Sequence, residues 1–231
     1  MTPTPPPDAA ATATPTDGAP DVPGRLLAAA AELFAEHGYE GTTIRDVVAR
    51  ARTNLNAVNY HFGSKEQLYG AVMQHLADRA EAAHPRHQRG AARDARELLA
   101  WTIEDTLAWL LDPDSPLPAI YARELVTPGP GYSLANVGKV EHENLKVAVT
   151  ALLGPGAAPA DIAHVCRSIY SQCAYFMFIR RLLPMMDPTF RYSPESVRAL
   201  ADHITAFSLG GIDAIRQRAG AGAAGTAGHG A

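Results

Sequence analysis

The sequence predicts an all-α protein with two domains, an N-terminal helix-turn-helix unit and a larger helical domain, with about nine helices in all. Alternation of Val, Ile and Tyr with polar residues never persists, whereas apolar residues recur at helical spacing over residues 24–218. The hydrophobic fraction of 47% is that of an ordinary globular protein. The flanking segments, 1–23 (Pro, Ala, Thr and Asp) and 219–231 (Gly and Ala), predict a disordered leader and a frayed tail.

The N-terminal domain, residues 24–72, is predicted to hold four helices. One apolar face of the first comprises Leu26, Leu27, Ala30, Leu33 and Phe34. Gly38 follows as a left-handed cap. Thr42 can cap the second helix, Asn54 a third and very short one, and Ser64 the fourth. These helix-start signals indicate a compact N-terminal unit of short helices, which we call the head.

Residues 73–218 are predicted to form the longer helices of a second domain. The predicted ranges are 93–111, 117–126, 132–153, 160–183 and 193–218. Prolines and glycines separate them, and Ser193 can cap the last one. The 160–183 helix is apolar on most sides, which indicates burial between partners.

The strongest functional signal is the pair of short helices within residues 42–62, which are joined by about three residues. The second is too short to be stable alone and must pack on its neighbours, with Val58 and Phe62, one turn apart, on the buried side. Asn56, Asn59 and Tyr60 then face outward together. Amides and a phenol on an exposed helix suit base edges and phosphates in a major groove of double-stranded DNA.

Neighbouring side chains complete this predicted DNA-binding surface. Leu55 could meet a thymine methyl or pack onto Val58. Tyr60 and His61 could contact DNA or pack, and a phosphate contact is favoured for Tyr60. The predicted reading residues are Leu55, Asn56, Ala57, Asn59 and Tyr60. The predicted phosphate contacts are Thr43, Arg45 and Lys65, two of them at helix starts, where backbone N–H groups attract anions.

Charge supports DNA binding only locally, because the whole chain carries a formal net charge of −4. Residues 42–66 contain Arg45, Arg50, Arg52 and Lys65 against Asp46 and Glu66. This excess of two basic side chains is the patch that would attract phosphates.

The chain resembles the TetR family of one-component regulators over residues 24–72. The matching strings begin with Ala-Ala-Glu-Leu-Phe-Ala-Glu-His-Gly-Tyr-Glu-Gly-Thr-Thr, continue with Thr-Thr-Ile-Arg-Asp-Val-Val and Tyr-His-Phe, and end with Ser-Lys-Glu-Gln-Leu-Tyr. The resemblance implies a homodimer whose two heads bind half-sites of a near-palindromic operator, spaced by one helical turn or a multiple. Repression by promoter occupancy is the expected mechanism.

One turn departs from the family pattern of Ala-Gly-Val-Ser, because this chain has Ala-Arg-Thr-Asn at 51–54. Arg52 stands where the family has a glycine that tolerates positive φ, so some strain is expected. Its side chain could reach a phosphate or simply point to water.

The second half resembles the C-terminal domain of the CecR-like branch, most clearly at residues 121–128 and 169–176. The resemblance implies a helical sensor domain that binds a small-molecule effector and a dimer built from the last two long helices. The candidate ligand-binding residues are Trp101, Trp109, Arg123, Phe176 and Met177. Aromatic residues at helical spacing are more often core than pocket lining, and Arg123, next to Glu124, could hold its helix in place instead.

Other classes of protein lack support in the sequence. Cys166 and Cys173 fit a reducing cytosol as buried thiols, and we expect a cytoplasmic protein without metal or cofactor. Apolar runs stay below the roughly 18 residues of a membrane span. An enzyme would need a nucleophile grouping, phosphate loop or metal motif. The remaining alternative is an all-α ligand-binding or interaction protein that does not bind DNA.

Overall fold

The structure is a computed structural model that describes residues 21–82, 91–129 and 139–227. Within these ranges the chain forms ten α-helices and no strand. The predicted all-α class is therefore confirmed. The helices are α1 (Val22–Gly41), α2 (Ile44–Arg50), α3 (Leu55–His61), α4 (Lys65–Ala82), α5 (Ala95–Leu110), α6 (Leu117–Val126), α7 (Lys139–Leu153), α8 (Pro159–Phe178), α9 (Leu183–Met186) and α10 (Pro194–Ala227). None of them, over the described residues, is long and apolar enough to cross a membrane.

The predicted helix bounds need correction at the start of the first helix, at the end of the last helix and within the predicted 160–183 helix. That helix ends at Phe178, and a tight turn at Ile179 leads to the separate α9. Val22 and Pro23, assigned to the leader, form the first turn of α1. The segment 219–227, expected to fray, continues α10, because alanine is the best helix former and glycine interrupts it only in part. The rest of the predicted leader and tail, and residues 132–138 of the predicted 132–153 helix, lie outside the described residues.

The head consists of α1 to α3 packed against the start of α4. Its core includes the fully buried Leu26, Phe34, Val47, Val58 and Leu68. The predicted caps of α3 and α4 are confirmed, because Asn54 Oδ1 accepts from Ala57 N at 3.1 Å and Ser64 Oγ from Gln67 N at 3.1 Å. These caps hold a helix of only seven residues in place.

The cap of α2 is Thr43 and not Thr42, which corrects the prediction. Thr43 Oγ1 accepts from Asp46 N at 3.2 Å, and the Asp46 carboxylate accepts from the backbone and hydroxyl of Thr43. The Thr42 side chain is buried instead and donates to the carbonyls of Leu33 and Gly38 in α1. Gly38 breaks α1 with a φ of 74°, as its predicted left-handed role requires.

The larger domain is organised around α5. One face of this helix carries the fully buried Leu99, Ile103, Leu107 and Leu110. It packs on α7, α8 and α10, so the long C-terminal helix is a structural part of this core. The short α6 lies between this domain and α1, and it therefore joins the two domains.

Candidate nucleic-acid interface and internal cavity

The outer face of α3 is an exposed and mostly uncharged surface. Tyr60 is 85% exposed and Leu55 is 48% exposed, and the Asn56 and Asn59 side chains are exposed beside them. Val58 is fully buried, and Ala57 is half-buried against the core. His61 is exposed and packs edge-on against Tyr60, with 4.9 Å between the ring centroids. The short helix thus presents together most of the side chains that were predicted to read bases.

The turn before α3 contains the backbone strain that the sequence predicted. Arg52 has a φ of 51° and is the only described non-glycine residue with positive φ. A side chain in this left-handed region costs about 1–2 kcal/mol relative to the right-handed one. The Arg52 side chain is exposed next to α3.

The predicted phosphate contacts differ in how freely their side chains can move. The Arg45 side chain is exposed. The Thr43 hydroxyl is hydrogen-bonded within the cap of α2, so the backbone N–H groups at the start of that helix are what remains for an anion. Lys65 is half-buried, with Nζ 4.1 Å from the centroid of the Tyr39 ring. This cation–π contact fixes the ammonium group near the start of α4.

Arg50 does not belong to the basic patch, which sequence reasoning could not detect. Its guanidinium pairs with Glu36 at 3.0 Å and Glu32 at 3.4 Å, both on α1. The hydrogen bond from Arg50 holds the pKa of the Glu36 carboxyl below its usual range. Removing Arg50 from the count leaves three basic side chains against Asp46 and Glu66 between residues 42 and 66, a smaller excess than the sequence suggested.

Arg123 on α6 connects the larger domain to the head. Its guanidinium donates to the carbonyls of Ala35 at 3.0 Å and Glu36 at 2.6 Å. These carbonyls lie in the last turn of α1 before the break at Gly38, where the helix dipole attracts a cation. The contacts support the structural role that the sequence left open for this arginine.

Glu124, the next residue of α6, forms the buried half of the same junction. Glu124 is 3% exposed, and its carboxylate accepts a hydrogen bond from the Tyr69 hydroxyl on α4. It also accepts from the backbone N–H of Gly129, at 2.9 and 3.0 Å to its two oxygens. A Cβ at Gly129 would come within 2.8 Å of Glu124 Oε1, so any larger residue there would require the Glu124 carboxylate to shift. We call Tyr69, Glu124 and Gly129 the junction cluster.

A cavity of about 830 Å³ lies between α4, α5, α6 and α10. This volume is within the usual range for small-molecule sites. Apolar and aromatic side chains form much of its wall, including Leu76, Ala108, Trp109, Leu117, Tyr192 and Val197. Its described polar wall is acidic, with four carboxylates and two arginines: Glu104, Asp105, Asp112, Asp114, Arg79 and Arg198.

The cavity includes one of the predicted ligand-binding residues. Trp109 lines it, whereas Trp101, Phe176 and Met177 do not line it, nor does Arg123, which is engaged with α1. Met177 is buried in the core, and Phe176 is half-buried and packs on it. The cavity carboxylates were missed, because an acidic residue looks the same in sequence whether its side chain faces water or a cavity.

Family models match both parts of the chain. The model described as bacterial regulatory proteins of the tetR family matches residues 26–72. The model described as the C-terminal domain of the HTH-type transcriptional dual regulator CecR matches residues 95–212, which is about half of the chain.

Two relatives also match parts of this chain in sequence. The HTH-type transcriptional repressor Rv3405c of Mycobacterium tuberculosis (strain ATCC 25618 / H37Rv) is 43% identical over 89 residues, covering 33% of this chain and 47% of the relative. The HTH-type transcriptional dual regulator CecR of Shigella flexneri is 34% identical over 126 residues, covering 48% of this chain and 55% of the relative. The matched part of the chain thus spans about half the length of these relatives.

Solved structures share the fold. AibR, in complex with isovaleryl coenzyme A and operator DNA, superposes with a TM-score of 0.60 at 21% identity, over 81% of this chain and 97% of that one. The TetR family transcriptional regulator PfmR from Thermus thermophilus superposes with a TM-score of 0.56 at 22% identity, over 78% and 94% of the two chains. From its head, its helical second domain and these two family models, the chain belongs to the TetR family of bacterial regulatory proteins and has a C-terminal domain of the CecR type.

Proposed function

We propose that the protein is a ligand-responsive transcription regulator, acting by default as a repressor, that binds a near-palindromic operator as a homodimer. The observation that supports this best is the exposed face of α3, where Asn56, Asn59 and Tyr60 project from a helix fixed by its cap and by the buried Val58. Such a face has no partner within the described part of the chain and suits a major groove. We place the phosphate contacts at Thr43, Arg45, Arg52 and Lys65.

The homodimer is proposed to form through α8 and α10. Both helices present exposed aromatic side chains, a residue type that is enriched at protein–protein interfaces. Tyr175 and Phe178 on α8 are 52% and 54% exposed, and Phe207 on α10 is 67% exposed. A two-fold axis through this face would place two α3 helices for two half-sites.

The effector is proposed to bind in the cavity and to change the position of the head. Leu76 and Ala80 of α4 and Leu117 of α6 line the cavity, while the other ends of these helices contact the head. Arg123 and the junction cluster link α6 to α1 and α4. A ligand that favours one spacing of α4 and α6 would thus bias the spacing of the two heads.

The decisive experiment is to sequence the genomic DNA fragments that the purified full chain retains, and to titrate the recovered fragment at increasing salt. We expect a recurrent near-palindrome and an affinity that falls steeply with salt. Retention of random fragments, or none, would favour the alternative of an all-α ligand-binding protein without a DNA-binding role.

The reading face is tested by Tyr60→Ala on the same fragment. We expect operator affinity to fall about tenfold, equivalent to 1.4 kcal/mol, with unchanged helix content and unfolding midpoint. His75→Ala, an exposed change on α4, is the matched control and should bind like the parent chain. Equal affinities for both variants would refute the role of Tyr60.

A further inference from the structure

We propose that the cavity takes an amphiphilic organic cation with aromatic surface, and that this class of molecule is the effector. The description of the ligand as an effector rests on the proposed regulatory function, whereas the cation preference of the cavity stands without it.

The charge of the wall is the first observation. The described lining contains two more carboxylates than arginines. Arg198 is itself held by Glu104, with 3.5 Å between Nε and Oε1, so its positive charge is balanced inside the wall. Asp112 and Asp114 lie together at the 111–116 loop, where the Asp112 carboxylate accepts from Asp114 N at 2.9 Å. A cleft lined mainly by one sign of charge concentrates ligands of the opposite sign.

The aromatic and apolar part of the wall is the second observation. Trp109 and Tyr192 line the cavity together with aliphatic side chains, so a cation with an apolar body meets a matching surface. Trp109 is 8% exposed, and among the described residues its indole N–H has no hydrogen-bond acceptor. A buried N–H donor usually has a hydrogen-bond acceptor, so the indole N–H of Trp109 is consistent with a site in which a bound molecule supplies that acceptor.

The same features argue against an anionic effector. A coenzyme A ester, as bound by the structural neighbour AibR, carries several phosphate charges. Asp112 and Asp114 stand together at the 111–116 loop of the wall. Phosphates placed there would meet carboxylates, an unfavourable pairing in a partly desolvated site.

The charge preference can be tested with two probes of the same shape and opposite charge, tetraphenylphosphonium and tetraphenylborate. Each is titrated into the full chain without DNA, with tryptophan fluorescence and calorimetry as readouts. We expect the cation to bind at least about tenfold more tightly than the anion, with an affinity that falls as salt rises. Equal binding, tighter binding of the anion, or no binding of the cation would overturn the proposal.

Location is tested with the double variant Asp112→Asn and Asp114→Asn. Asparagine at 112 can still accept the hydrogen bond from Asp114 N, so the loop should keep its structure. We expect the cation-to-anion preference to fall several-fold. The double variant Glu143→Gln and Asp202→Asn, two exposed changes away from the cavity, is the control for net charge and should keep the preference. Equal losses in both variants would overturn the assignment of the cavity.

The effector role is read separately, by adding tetraphenylphosphonium to the complex with the retained operator fragment. A change in operator affinity at saturating cation supports the role, and no change overturns it while leaving the binding result intact. If the chain binds no operator but binds the cation, the regulatory function fails, the effector assignment fails with it, and the cation preference stands.

Discussion

The junction cluster makes a prediction about Tyr69→Phe, which removes one hydroxyl from a buried site. The Tyr69 ring packs edge-on against Phe34 and Tyr39, with centroid distances of 4.8 and 5.2 Å, and phenylalanine preserves these contacts. The hydroxyl donates to Glu124, whose carboxylate then retains only the Gly129 N–H among the donors of the described residues.

The expected magnitude follows from this change in partners. A hydrogen bond to a charged group contributes about 1.5–3 kcal/mol net to stability. When a buried carboxylate loses a donor, water does not replace that donor. We therefore expect the free energy of unfolding to fall by about 2 kcal/mol. For a chain of this size the melting temperature should fall by about 4–8 °C.

Urea unfolding followed by circular dichroism measures this effect. Tyr60→Phe is the matched control, because the Tyr60 side chain is 85% exposed and its hydroxyl has no partner within the described residues. We expect the control to be within about 0.5 kcal/mol of the parent chain. Equal stability of Tyr69→Phe and the control would show that the junction does not depend on this hydrogen bond.

Three further predictions concern the turn, the dimer face and the thiols. Arg52→Gly should raise the free energy of unfolding in urea by up to about 1 kcal/mol, because glycine relieves the positive φ, and a decrease would contradict the strain. The same change should lower the salt slope of operator binding by about one, and an unchanged slope would refute the proposed phosphate contact of Arg52. Phe207→Glu should give monomers in light scattering, whereas Val147→Glu on α7, also exposed, should leave dimers; a dimeric Phe207→Glu chain would refute the α10 interface. Burial raises the pKa of Cys173 to about 12, so in a Cys166→Ser chain iodoacetamide should label Cys173 slowly at pH 8 and about tenfold faster at pH 9; fast labelling at pH 7 would contradict the burial.

Local signals in the sequence predicted several helix starts and bounds, in the head and beyond it, because these signals act between residues close in the chain. Asn54, Ser64 and Ser193 cap the helices that they were expected to cap. The predicted 117–126 helix has those bounds in the structure. The strain at Arg52 was also visible in advance, because it depends on one backbone position in a familiar turn.

The same local signals failed where two residues were chemically alike or where a partner came from far along the chain. Thr42 and Thr43 are equal candidates for a cap, and only the packing of α1 decides that Thr42 turns inward. The partners of Arg50 on α1 are 14 and 18 residues away, so its charge could not be discounted from the sequence.

The sequence by itself determined the helical class, the short exposed helix α3 and the family of this protein, since periodicity, caps and motif strings are properties of neighbouring residues. Only the tertiary structure decided what Arg123 and Glu124 do, because their partners in α1 and α4 lie 55 to 88 residues away. It also decided where the cavity lies and that its described wall is acidic. The physical reason is that burial and charge balance depend on which helices pack together, and residues far apart in the chain meet only after that packing.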